Sequence, residues 1–121
     1  MNYEISQRFF FDAAHTLRRA IEVEGSARIH GHTYQAEVVL GGMPDPATGM
    51  VLDLGLLRAA LSSLREQLDH RFLDEVPGIG TPTLENLCAF IARALRADAL
   101  PNLRRVSVWR EGIGDRCDLR L

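Results

Sequence analysis

Residues 3–15 alternate with period two. Tyr3, Ile5, Gln7, Phe9, Phe11, Ala13 and His15 fall on one side, and Glu4, Ser6, Arg8, Phe10, Asp12 and Ala14 on the other. Neighbouring side chains of an extended chain point to opposite faces, so this is a strand whose odd face is mostly apolar. A second alternation covers about residues 30–41. Tyr34, Ala36, Val38 and Leu40 continue the parity of His32, opposed by Thr33, Gln35 and Glu37. The two strands are antiparallel candidates, with His15 facing the end that carries His30 and His32. Between them, residues 16–29 hold mixed charge and read as a long loop, a kind of connection that is often functional in compact domains.

The period changes after the turn region 41–49. Met50-Val51-Leu52 is a short extended piece, and Asp53 is placed to cap a helix. Leu54, Leu57, Ala60, Leu61, Leu64 and Leu68 recur at helical spacing and predict a helix over about 54–68. A loop rich in glycine and proline spans 70–82. Thr83 then caps a second amphipathic helix marked by Leu84, Leu87, Cys88, Ile91 and Leu95, which runs to about residue 97 before Pro101-Asn102 breaks it. Residues 104–111 read as a strand with Val106 and Val108 on one face and Ser107, Trp109 and Glu111 on the other. A hairpin connection at 112–115 leads to a last strand, 116–121, with Cys117, Leu119 and Leu121 on one side. The order strand, strand, helix, helix, strand, strand predicts an α+β domain over 1–121, an antiparallel sheet with two helices on one face. No internal linker or repeat interrupts it.

Composition narrows the function classes. The chain has 121 residues, 46% of them hydrophobic, which is enough for a core. A net charge of −2 gives no basic field for nucleic acid. Every basic side chain other than histidine is arginine. No apolar run approaches the ~20 residues of a membrane span, and the first residues lack a signal-peptide pattern. Cys88 and Cys117 make no disulfide framework, so a cytoplasmic protein is expected.

The candidate chemistry is histidine. In Ile29-His30-Gly31-His32-Thr33-Tyr34, a His-x-His pair on a strand places both imidazoles on one face, about 7 Å apart at Cα. His15 keeps the inward parity of its own strand. Three inward imidazoles are costly as free groups, because each has two ring nitrogens to satisfy and burial penalises the charged form. Three histidines with an open fourth position have the layout of a catalytic zinc (Zn2+) site, although all-imidazole sets also take other transition metals. The fourth histidine, His70, follows Asp69 at the end of the first helix. Either it is a base tuned by that carboxylate, or it only complements the helix C-terminus.

The ordered set Phe-Phe-Asp-Ala-Ala-His15, His30-Gly-His32, Asp53, Leu-Asp69-His70, Pro82-Thr83-Leu-Glu85-Asn86 and Arg110-Glu111, with the turn 45–53, resembles the 6-pyruvoyltetrahydropterin synthase / 6-carboxytetrahydropterin synthase family along nearly the whole chain. The resemblance implies the tunnelling fold: a four-stranded antiparallel sheet with two helices, ββααββ, assembled as trimers or hexamers with sites between subunits. It implies zinc on His15, His30 and His32, an Asp69–His70 catalytic pair, and a pterin edge held by Glu111 with help from the Thr83/Glu85 region. It implies 7,8-dihydroneopterin triphosphate as the substrate and, in the queuosine branch, 6-carboxy-5,6,7,8-tetrahydropterin as the product.

One position departs from the pattern. The catalytic cysteine of the family stands four residues before the first histidine of His-Gly-His, where this chain has Ser26. A thiol is readily tuned to a thiolate, whereas a serine hydroxyl needs an adjacent base. Three accounts are open: a divergent paralogue, a substitute base such as Glu22 or Glu24, or an engineered change. A related subfamily carries glutamate close before His-Gly-His and trims the side chain of dihydroneopterin-type substrates; here Ala27 and Arg28 stand nearest that point. The alternatives are therefore pterin side-chain cleavage, a 6-pyruvoyltetrahydropterin synthase-type reaction, and a zinc- and pterin-binding homologue without turnover.

Overall fold

The computed structural model of the protein describes residues 2–97, 100 and 102–121. Two long strands, β1 (Tyr3–His15) and β2 (His30–Gly42), pair antiparallel along their whole length, with Phe9 opposite Ala36, Phe11 opposite Tyr34 and His15 opposite His30. Their alternation holds as expected. Phe11, Tyr34, Ala36, Val38 and Leu40 are fully buried on one face, and the Phe11 and Tyr34 rings stack at 5.0 Å between centroids. The strands β4 (Leu103–Arg110) and β5 (Asp115–Arg120) extend the sheet beyond β2, β4 antiparallel to β2 and β5 antiparallel to β4.

The sheet has five strands, not four, in the order β3-β1-β2-β4-β5. The extra strand β3 is the two-residue piece Arg71–Phe72, parallel to β1 at the sheet edge and followed by a single 3₁₀ turn, Leu73–Glu75. Two residues carry no readable periodicity, so the expected 70–82 loop conceals this strand. The expected 16–29 loop likewise contains a short helix, α1 (Val23–Ala27), too brief for an apolar stripe.

The two long helices, α2 (Leu54–Glu66) and α3 (Leu84–Ala97), lie on the apolar face of the sheet. Leu57, Leu61 and Leu64 from α2 join Leu87, Cys88, Ile91 and Leu95 from α3 in one core with Val106 and Val108 of β4. The Asp53 carboxylate accepts the Gly55 N–H at 2.8 Å, and the Thr83 hydroxyl accepts the Asn86 N–H at 3.1 Å, so both expected helix starts are capped. Pro101, expected to end the second helix, lies outside the described residues. The far face of the sheet carries charge. Glu37 takes bonds from Arg8 at 3.1 Å and Arg105 at 2.9 Å, and Trp109 lies between the guanidinium groups of Arg8 and Arg116. No described helix is long and apolar enough to cross a membrane.

Asp53→Ala removes the cap of α2 while leaving the core intact. We expect a loss of about 1 kcal/mol in urea unfolding; an unchanged midpoint would show that the Asp53–Gly55 bond does not contribute.

Candidate metal centre

The β1–β2 register decides where the histidines meet. His15 pairs directly with His30, and Ala13 with His32, so all three imidazoles leave the same face at the same end of the ladder. The ring centroids are 4.5 to 4.9 Å apart, and the nitrogens available as ligands lie within 4.8 Å of one another. His15 is fully buried, and His30 and His32 are half-buried.

Backbone carbonyls orient two of the rings. His15 Nδ1 lies 3.1 Å from the Pro82 carbonyl oxygen, and His30 Nδ1 lies 2.8 Å from that of Arg28. A carbonyl oxygen only accepts, so each Nδ1 carries the proton and each Nε2 presents a lone pair. His15 Nε2 in turn sits 3.0 Å from His32 Nε2. Two nitrogens bound to one tetrahedral ion at about 2.0–2.1 Å would be about 3.3 Å apart, so the observed spacing is close to that of a shared ion. The donor chemistry fits as well: neutral imidazoles suit a transition metal such as zinc, and the carbonyl partners fix ring orientation as second-sphere groups do.

Burial and nearby charge disfavour protonation of His15 and His32. Burial pushes His15 below the ordinary histidine range, outweighing the Pro82 carbonyl, and the charge of Arg110 adds to the effect. His32 is lowered to about 4, first by burial and then by the Arg110 guanidinium. Tyr34, beside His15 and beneath Arg110, is pushed up to about 12, mainly by burial.

Of the remaining expected residues, Ser26 and His70 line two different hollows that share His32, and Asp69, Glu24, Thr83, Glu85 and Glu111 line neither. The first, of about 440 Å³, is lined by Ser26, His30, His32, Arg19, Glu22 and Arg110 among others. Ser26 is buried, and its hydroxyl donates to the Val23 carbonyl at 3.2 Å. Glu22 lines this hollow and is paired with Arg19 at 3.0 Å, whereas the Glu24 side chain is 92% exposed and faces Arg28 at 4.0 Å. The second hollow, of about 580 Å³, is lined by His32, His70, Asp12 and Thr33 among others. Asp69 accepts the Asp12 N–H at 2.9 Å and pairs with Arg65 at 3.2 Å, while the His70 N–H donates to the Asp12 carbonyl at 2.6 Å. The His70 ring is 80% exposed and 3.9 Å from the Asp69 carboxylate. Asp69, through its carboxylate, and His70, through its backbone, are both fastened to β1 at Asp12, immediately before β3 begins.

Thr83 serves as the cap of α3 and Glu85 is exposed on its first turn, next to the Pro82 that holds His15. Glu111 is not brought to the histidines. It is exposed beyond the end of β4, is absent from the lining of either hollow, and accepts the Trp109 indole N–H at 3.4 Å. The β4 residue that does reach the centre is Arg110, for which the one signal in the sequence is that it continues the inward parity of Val106 and Val108.

The model of the 6-pyruvoyl tetrahydropterin synthase family matches residues 4–120. The chain belongs to that family. Among its relatives, a dihydroneopterin monophosphate aldolase of Pyrococcus furiosus is 35% identical over 112 residues, covering 90% of each chain. A 6-carboxy-5,6,7,8-tetrahydropterin synthase of Synechocystis is 34% identical over 110 residues, covering 86% of this chain and 83% of the relative. In three dimensions the Caenorhabditis elegans 6-pyruvoyl tetrahydropterin synthase superposes with a TM-score of 0.85 at 25% identity, covering 100% of this chain and 96% of the other.

The neutrality of His32 yields a pH dependence for the metal-free protein. The folded state takes up the His32 proton only near pH 4, and the unfolded chain takes it up near 6.5. Between these values the unfolded state holds more protons, so this contribution to stability is present above about pH 6.5 and is lost as the pH falls toward 4. Urea titrations at pH 7 and 5 should show a smaller loss in His32→Gln than in the parent; equal losses would refute the assignment.

Proposed function

We propose that this family member is a metal-dependent enzyme acting on the side chain of a dihydroneopterin phosphate, with 7,8-dihydroneopterin triphosphate as substrate and 6-carboxy-5,6,7,8-tetrahydropterin as product. The observation that carries this reading is the convergence of three imidazoles, two of them locked by backbone carbonyls, beside a hollow large enough for a small heterocycle that His30 and His32 line. His15, His30 and His32 would hold the metal, zinc by ligand type. When bound, the metal supplies Lewis acidity toward the oxygens of the substrate side chain.

The protein's own groups divide the remaining work. Burial keeps His15 and His32 unprotonated at neutral pH, so no proton has to leave before they act as ligands. The Asp69–His70 pair, anchored to β1 and bordering a hollow that His32 also lines, supplies a base within the same region. Its exposure on the single chain supports a homo-oligomer, trimer or hexamer, in which a neighbouring subunit covers it. The Ser26 hydroxyl is buried and gives its proton to the Val23 carbonyl rather than to a base, which leaves its lone pairs to accept from a substrate hydroxyl and supports no proton-shuttling role. Of the two substitute bases considered, Glu22 borders the hollow and Glu24 points to solvent.

A second reading, aldolase-type side-chain cleavage, is favoured by Ser26 in place of a thiol and by the relative named dihydroneopterin monophosphate aldolase. Both readings use the same metal and differ in the bond broken.

Mass-spectrometric analysis of zinc-loaded protein incubated with 7,8-dihydroneopterin triphosphate separates them. Acetaldehyde and free triphosphate with 6-carboxytetrahydropterin are the expected result; glycolaldehyde triphosphate with a 6-hydroxymethyl pterin would establish the aldolase reading, and bound but unchanged substrate would refute turnover. His15→Ala should lose most of its bound zinc by elemental analysis, and a full metal complement would overturn the ligand set. If the synthase reaction lacks only its thiol, Ser26→Cys should raise turnover about tenfold or more; no gain with substrate still bound counts against the synthase reading.

A further inference from the structure

The hollow beside the histidines presents a guanidinium where the resemblance leads one to expect a carboxylate. β4 alternates Val106, Val108 and Arg110 toward the helix side of the sheet, so strand geometry delivers Arg110 to the hollow and turns Trp109 and Glu111 away from it. The Arg110 side chain is only 13% exposed. Its guanidinium carbon lies 6.0 Å from the centroid of the Tyr34 ring, and one terminal nitrogen is paired with Asp115 at 3.1 Å. Its Nε is buried with no hydrogen-bond partner among the described residues. Buried donors are rarely left unpaired, and an N–H edge beside a hollow that also holds a metal-ligand set is where a ligand acceptor would sit.

The chemistry of that edge is one-sided. A guanidinium has five donors and no acceptor. It cannot take the donor edge of an amino-pyrimidine as a glutamate would, and it opposes any positively polarised N–H group. It matches carboxylate or phosphate oxygens instead. Arg19 also lines the hollow, but it is half-exposed and one terminal nitrogen pairs with Glu22 at 3.0 Å, whereas Asp115 reaches the largely buried Arg110 only at its terminal nitrogen. Arg110 therefore brings to this hollow a largely buried guanidinium whose Nε has no partner among the described residues.

We propose that Arg110 is a specificity-determining binding residue, and that the hollow it shares with His30, His32 and Ser26 receives an anionic oxygen group of the ligand, a phosphate or a carboxylate. This rests on the proposed function only in taking the hollow as the ligand site. It places the acidic end of the ligand, rather than a heterocycle donor edge, against β4.

The test compares the zinc-loaded full chain with Arg110→Gln and Arg110→Lys at equal zinc content and equal thermal stability. Calorimetric titrations use inorganic tripolyphosphate, malonate, 7,8-dihydroneopterin triphosphate and unphosphorylated 7,8-dihydroneopterin. The expected result is an affinity loss of about tenfold or more in Arg110→Gln for at least one acidic probe, partly restored by lysine, with unphosphorylated dihydroneopterin unaffected. Loss confined to tripolyphosphate and the triphosphorylated pterin identifies phosphate; loss confined to malonate identifies carboxylate. Unchanged affinity for both simple anions, or an equal loss for every ligand including unphosphorylated dihydroneopterin, overturns the proposal. Anion binding through Arg110 without any pterin binding by the parent protein would retain it and reject the pterin reading instead.

Discussion

The antiparallel register of β1 and β2 is the constraint on which the centre depends. It sets His15 across from His30 and Ala13 across from His32, and it does so through the same alternation that buries Phe11, Tyr34, Ala36 and Val38. Side-chain direction on a strand has period two, so a slip of one residue in β2 would carry His30, His32, Tyr34 and Val38 to the charged face and turn Glu37 into the core. Core and centre are therefore fixed by one pairing. The hydrophobic face stabilises the register, and the histidines occupy the end of it without having to enforce it themselves.

Holding three imidazoles together without a fourth partner would be unfavourable if any were charged. The fold removes that difficulty in two ways. Carbonyl oxygens of Pro82 and Arg28 take the Nδ1 protons, which directs lone pairs inward. Burial then disfavours a second proton on His15 and His32, and the Arg110 guanidinium nearby works in the same direction. The carbonyl of Pro82 reaches His15 because Thr83 caps α3 immediately after it, so the helix start and the imidazole orientation are one piece of local geometry. The cost of burying these imidazoles is borne by the apolar ladder beneath them.

Legibility in the sequence varies with element length. The long alternations and the two amphipathic helices predict strands and helices near their observed bounds, and parity alone places His15, His30 and His32 on one face. The strand β3 and the helix α1 are hidden because two and five residues are too few to display a period. Arg110 is a different kind of omission. In the pair Arg110-Glu111 the resemblance points to the carboxylate, although the alternation of Val106 and Val108 makes the arginine the inward residue. Parity along a strand is a physical constraint on direction, whereas the identity of a nearby residue is not, and where the two disagree the fold follows parity.

Ser26 and Arg110 line the same hollow beside the histidine set. Their joint presence has a simple electrostatic reading. A thiolate that shuttles protons beside a bound metal would be drawn into an ion pair by an adjacent guanidinium with a free donor, which would lower its basicity and occupy the arginine. A serine hydroxyl carries no charge at neutral pH, so it leaves the Arg110 Nε edge available to an anion from the ligand. In the proposed function the imidazole set would still hold the metal, while the groups around it would change what end of the substrate is held and by what charge. The histidine set and the residues Arg110 and Ser26 come from different constraints of the fold: the first from the β1–β2 register, the second from the last inward position of β4 and the short helix of the connecting loop. Because neither depends on the other for its placement, recognition can be altered in this fold without disturbing the ligand set.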